Sequence, residues 1–160
     1  MENRAGAQVA LPTDREIVIT RTFDAPPPRV FEMWTRSEHV THWWDPSGVP
    51  LAVCDIDLRP GGTFRFVHGG SSGVGHAFTG VYQEIEPTTR LVFTTPSPSG
   101  ASSTGTLEFS AVGDATLLTM TIACASRADR DALLAMRVDA GTVRSLDNLD
   151  DYLGAVRSGK

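Results

Sequence analysis

Four histidines are the side chains best able to exchange protons near neutral pH, and two of them, His39 and His42, stand three residues apart. On a helix that spacing puts both rings on one face, as two metal ligands would require. A metal site needs further ligands, and none has a matching spacing; Asp45, His68 and His76 would have to converge from elsewhere. The pair therefore reads as surface or capping histidines, and neither a metal nor a cofactor is expected. His76 opens a strand-like run in the same parity as Phe78, which aims it at the mouth of any cavity that strand lines. A general base there stands against the commoner reading, a strand-end histidine in solvent.

Asp55, Asp57 and Arg59 alternate and so share one strand face. Asp57 and Arg59 suit an ion pair bracing the turn Pro60-Gly61-Gly62; the functional alternative is a polar anchor for a ligand. The turn itself is no phosphate loop, because it lacks a lysine and a following helix. Ser71, Ser72, Ser97 and Ser99 sit in Gly- and Pro-rich stretches with no paired histidine and acid, so nucleophilic catalysis has no constellation. No catalytic residue is assigned. Cys54 and Cys124 lie in apolar runs without CxxC spacing, which favours two buried free thiols over a disulfide.

These groups must be positioned by 160 residues, enough for one domain with a real core and no metal or disulfide staple. The formal charge of -5, with charged stretches at 127–131 and 147–151 that are mixed or acidic, argues against nucleic acid as a partner. Residues 1–13 lack the apolar stretch of a signal peptide, and no later run approaches a membrane span, so the cytoplasm is the expected location.

Residues 1–14 read as a flexible arm and 15–157 as one domain. Residues 16–23 alternate and are β-branched, which predicts strand one. Asp24 before three prolines suits a cap, and Val30, Phe31 and Trp34 at helical spacing predict a first helix. Ser37 opens a second short helix carrying Trp43 and Trp44, ended by Asp45-Pro46. The period then changes to two. Strands are predicted at 51–58, 63–67, 76–85, 90–95, 104–112 and 116–124, and Phe64, Phe66 and His68 share a face. Ser126 caps a helix over 127–157 whose stripe is Leu133, Met136, Ala140, Val143, Leu146, Leu149 or Asp150, Leu153 and Val156. Asp131, Arg137, Arg144, Asp147 and Asp151 fall opposite. A helix of that length spans about 45 Å, and its stripe can be covered only by the sheet. Gly141 in its middle suggests a close approach or a bend. The order is α+β: a curved antiparallel sheet of about seven strands around a long C-terminal helix, with two short helices after strand one.

Several motifs run in a familiar sequence from about residue 16 to 155. They are Phe23-Asp24-Ala25-Pro26 leading into Val30-Phe31-Glu32-Met33-Trp34, the pair Trp43-Trp44, and Asp57-Leu58-Arg59-Pro60-Gly61-Gly62-Thr63-Phe64. Further on come Gly80-Val81-Tyr82-Gln83-Glu84-Ile85-Glu86-Pro87 with Arg90-Leu91-Val92-Phe93, and finally Ser145-Leu146-Asp147-Asn148-Leu149-Asp150-Asp151-Tyr152-Leu153. In these the chain resembles the SRPBCC (START-like, Bet v 1-like) superfamily, and within it the group named after the activator of heat-shock protein 90 ATPase. The resemblance implies the helix-grip fold. It spans lipid and polyketide binding, protection against reactive metabolites, cyclase activity and stimulation of a chaperone ATPase, so function has to come from the site. Relatives often carry a tryptophan after the helix glycine; here Thr142 follows Gly141, which would enlarge or reshape the cavity.

Trp34, Trp43 and Trp44 either close the core or form a hydrophobic wall of the pocket. Strand parity and the helix stripe add Phe64, Phe66, His76, Phe78, Phe93, Phe109, Met120, Met136, Val143 and Leu146 as pocket-lining candidates. The leading functional expectation is a non-enzymatic module binding a small apolar or amphipathic molecule between helix and sheet. The alternatives are a co-chaperone acting on a heat-shock ATPase, and a cyclase- or hydrolase-like enzyme using His76, Asp57 or Glu84. An exposed strand edge or the tryptophan-bearing helices offer a route to a homodimer.

Overall fold

The computed structural model describes residues 6–68, 77–96 and 99–157, which form eight strands and four helices. Strands β1 (Gln8–Ala10) and β2 (Glu16–Phe23) lead into helices α1 (Pro27–Thr35) and α2 (Ser37–Trp43). Six strands follow: β3 (Val53–Ile56), β4 (Thr63–Val67), β5 (Ala77–Glu86), β6 (Arg90–Pro96), β7 (Ser102–Val112) and β8 (Ala115–Ala123). The chain ends in α3 (Arg127–Ala135) and α4 (Val138–Arg157). All strands join one antiparallel sheet in the order β1-β2-β8-β7-β6-β5-β4-β3. Strand β1, beyond the seven expected, lies in the segment expected to be a flexible arm: Gln8, Val9 and Ala10 pair with Thr20, Ile19 and Val18. Three residues with no apolar alternation leave little pattern to read.

Alternation decides what each strand buries. In β2 the inward set is Ile17, Ile19, Arg21 and Phe23, facing Ile122, Met120, Leu118 and Thr116 of β8. Leu107 and Phe109 continue this face on β7, and Leu91 on β6. Against it pack Val30, Phe31, Met33 and Trp34 of α1, with Phe31 edge-on to Phe109 at 5.4 Å. Asp24 does not cap α1: the cap position is Pro26, without a side-chain bond, and proline fills the first turn, where a missing N–H costs nothing. Arg36 is extended, so α2 starts at once in a new direction and buries Val40 and Trp43.

The C-terminal segment is not one helix. Ser126 caps α3 as expected, its hydroxyl accepting from the Asp129 N–H at 3.1 Å. Arg137 then takes a left-handed φ of 63°, which ends the helical run, and α4 restarts at Val138. The bend therefore falls at Met136–Arg137 and not at Gly141. Only the second half of the apolar stripe is deeply buried: Leu146, Leu149 and Leu153 are covered, whereas Met136 is 64% exposed. The face expected to be solvated also makes a contact. Arg21, inward on β2, ion-pairs with Asp147, and with Asp150 at 3.3 Å, tying the helix to the sheet. Cys54 and Cys124 are free thiols. No helix among the described residues is long and apolar enough to cross a membrane.

Candidate ligand-binding cavity

The first turns of α4 stand off the sheet, and beneath them lies a cavity of about 640 Å³. One wall is made by Trp34, Trp43 and Trp44 from α1 and the end of α2. The strands supply Phe78, Phe93, Thr95, Pro96, Ser103, Gly105, Met120 and Ile122. The helices opposite supply Leu133, Met136, Val138, Gly141, Thr142, Ser145 and Leu146, and Pro46 and His68 complete the lining. A smaller void of about 20 Å³ adjoins it, sharing Trp34, Trp44, Phe78 and Phe93 and adding Phe64, Phe66, Tyr82, Leu91 and Leu107, with room for about one water.

The tryptophans both close the core and line the cavity. Trp43 is fully buried and its indole N–H donates to the Met33 carbonyl at 3.0 Å. Trp34 meets Trp43 edge-on at 4.6 Å and Trp44 at 6.1 Å, and Trp44 continues the wall to Phe66 and Phe78. The Trp34 indole N–H is buried with no hydrogen-bond acceptor among the described residues. Small residues keep the space open. Phe93 lies flat across its cross-strand partner Gly105, where a Cβ would come within 2.5 Å of the ring. Phe64 does the same over Gly80, at 2.3 Å. Across the cavity, a Cβ added at Gly141 would meet Pro46 at an ordinary contact distance of 3.7 Å.

Polar groups gather where α2 ends. Asp45 Oδ1 accepts from the Ser47 N–H at 2.9 Å and the Ser47 hydroxyl at 2.8 Å, and Oδ2 lies 3.0 Å from His68 Nδ1. Burial works to raise the Asp45 carboxyl, but the hydrogen bonds from Ser47 and the His68 contact outweigh it and hold the group below its ordinary value. Helix α4 fixes this segment. The Ser145 hydroxyl donates to the Trp44 carbonyl at 2.6 Å, and the Asn148 amide donates to the Asp45 carbonyl at 3.0 Å. On the far wall the Thr95 and Ser103 hydroxyls lie 3.2 Å apart.

The sequence model of the family described as "Activator of Hsp90 ATPase homolog 1-like protein" matches residues 24–154. The chain belongs to this family. Solved structures agree on the fold. A protein from Rhodobacter sphaeroides is 25% identical, with a TM-score of 0.84, over 93% of this chain and 98% of its own. One from Mycobacterium smegmatis is 24% identical with a TM-score of 0.82, covering 95% and 99%. Another, from Nitrosomonas europaea, is 20% identical with the same TM-score, covering 92% and 99%. None of the curated proteins matches the chain.

Within this family fold, the structure brings eight of the anticipated lining residues to the cavity: Trp34, Trp43, Trp44, Phe78, Phe93, Met120, Met136 and Leu146. Phe64 and Phe66 line the smaller void instead, and Phe109 is core under Phe31. Val143 is half-buried but lines neither space, because the inward face of α4 carries Val138, Gly141, Thr142, Ser145 and Leu146, and Val143 is rotated off it. His76 lies outside the described residues, as do Ser71, Ser72 and Ser97. His39 and His42 turn to the same neighbour. His39 Nδ1 and the Tyr152 hydroxyl are hydrogen-bonded at 2.6 Å, and His42 stacks on the Tyr152 ring. No group of three or more metal-ligating side chains occurs among the described residues. Arg59 Nε donates to both Asp57 oxygens, as the bracing reading requires, and both residues are exposed. Glu84 is exposed beside Arg90. Neither acid lines the cavity. The residue undervalued from sequence is His68: its parity with Phe64 and Phe66 was visible, but its partner Asp45 lies 23 positions earlier and no local spacing announces it.

Proposed function

We propose that this protein binds one small hydrophobic or amphipathic molecule in the cavity between α4 and the sheet. The observation that carries the reading is the cavity itself. Ligand sites hold roughly 300–1,000 Å³ and combine apolar walls with a few placed polar groups, and about 640 Å³ walled by indole, phenyl and thioether groups fits that description. An apolar occupant would add dispersion contacts with the lining side chains. All three tryptophans of the chain line the cavity, so their emission should respond to an occupant. Native mass spectrometry of the protein against a panel of aromatic and acyl compounds should give one-to-one adducts, and the same compounds should shift or quench the tryptophan emission. A protein that forms no adduct and keeps its emission unchanged throughout the panel rejects the reading.

The family description supports a second reading, a co-chaperone that stimulates an Hsp90-type ATPase. Adding the protein to such an ATPase discriminates the two, because unchanged turnover across a range of protein concentrations removes the co-chaperone role and leaves the cavity reading intact.

A further inference from the structure

Most polar groups at the cavity wall are already engaged with one another. The Ser145 hydroxyl is committed to the Trp44 and Gly141 carbonyls, and the Thr95 and Ser103 hydroxyls face each other. His68 differs. Its Nδ1 is held by Asp45, and no group among the described residues takes its Nε2. A carboxylate can only accept, so the Nδ1 atom opposite it must carry the proton. In the neutral ring that leaves Nε2 with a lone pair, oriented from behind by a carboxylate that is itself fixed by Ser47. This is a built acceptor beside an apolar chamber.

We infer that the His68–Asp45 pair is the polar anchor of the cavity and selects a neutral aromatic hydroxyl compound, a phenol, whose O–H donates to His68 Nε2. The inference rests on the cavity being a ligand site. Flat rings at Trp44, Phe78 and Phe93 suit an aromatic body, which they can meet face-on or edge-on. An anionic head group is disfavoured on two grounds. No lysine or arginine lines the cavity, and the Asp45 carboxylate stands 3.0 Å behind the imidazole. A methyl ether of the same ring system fits the walls but offers His68 no proton.

Calorimetric titration of the full chain near neutral pH with 2-naphthol, 2-methoxynaphthalene and 2-naphthoate tests this. The expected result is 2-naphthol binding about tenfold more tightly than the methyl ether, the loss of one well-placed hydrogen bond, with the naphthoate weaker than either. His68→Phe should erase the preference for the hydroxyl, and a circular dichroism spectrum matching that of the parent shows that the variant folds. Asp45→Asn should erase it too, since an amide N–H facing Nδ1 drives the proton to Nε2. Equal binding of naphthol and ether by the unaltered protein overturns the anchor and leaves the cavity standing. A hydroxyl preference that survives His68→Phe overturns the assignment to His68. Binding of none of the three overturns the cavity reading and the anchor with it.

Discussion

Gly105 sets the floor of the cavity by what it lacks. A methyl there would lie 2.5 Å from the Phe93 ring, closer than any real contact, so the ring must swing away from the sheet. Replacing a strand glycine with alanine stabilises by about 0.5–1 kcal/mol through the unfolded chain, but forcing an aromatic ring out of its packing costs about 1–3 kcal/mol. The second effect wins. Gly105→Ala should therefore lower the urea midpoint and weaken binding of hydrophobic probes, since Phe93 is itself cavity wall; a variant more stable than the parent would show that the ring relaxes freely. Asp45 gives a prediction in pH. Its carboxyl is held below the ordinary 3.8 by Ser47 and His68 despite burial. A group depressed on folding adds stability above its unfolded pKa and loses it as pH falls through the folded one. Urea unfolding should accordingly show Asp45→Asn less stable than the parent near neutral pH, with the gap closing only below about pH 3.8. A gap that is the same at pH 7 and at pH 2 would mean the charge of Asp45 contributes nothing.

Arg21 is where one element grips another. It occupies an inward position of β2 between Ile19 and Phe23, is 7% exposed, and its Nε has no partner among the described residues. Asp147 and Asp150 reach it from α4 while staying partly exposed themselves. Removing the two carboxylates leaves a buried cation unpaired, at a cost of about 1–3 kcal/mol or more. Arg21→Met removes the charge and restores an apolar strand face, a change that is often close to neutral. Chemical denaturation should thus rank Asp147→Asn/Asp150→Asn as clearly less stable than Arg21→Met; the reverse order would make the ion pair a net stabiliser of the fold. Arg21 also shows where sequence patterns stop being informative. Period-two alternation places Ile17, Ile19 and Phe23 inside and gives the long strands nearly to their ends, because one buried face constrains every second residue. It cannot say that an arginine in the same parity is inside as well, since that depends on two aspartates about 126 residues away. Likewise the stripe from Leu133 to Val156 is helical throughout, and nothing in its periodicity marks the left-handed Arg137 that splits it. The aromatic walls were legible from parity; the Asp45–His68 contact and the Phe93–Gly105 stacking were not, because both arise from strand register and loop path.

At the scale of the molecule, the helix break and the cavity are one arrangement. A continuous 127–157 helix would have to lie along the sheet for its whole length, burying Met136 as deeply as Leu149. The restart at Val138 lets α4 meet the sheet only from Leu146 onward, where Leu146, Leu149 and Leu153 are covered and Arg21 holds Asp147 and Asp150. Between the break and that point the helix roofs a space. Local stability follows local burial, so the two halves of α4 should open independently of each other. Amide hydrogen exchange of the free protein should find β2, β7, β8 and residues 149–155 exchanging only with global unfolding, and residues 138–145 exchanging faster by at least an order of magnitude. Filling the cavity supplies the first half with the contacts it lacks. A ligand present at about 100 times its Kd stabilises the bound state by roughly 2.7 kcal/mol, and its protection should concentrate at residues 133–146, next to the lining side chains. Uniform slow exchange along α4 in the free protein would contradict this division, and would mean that the roof is rigid before anything binds.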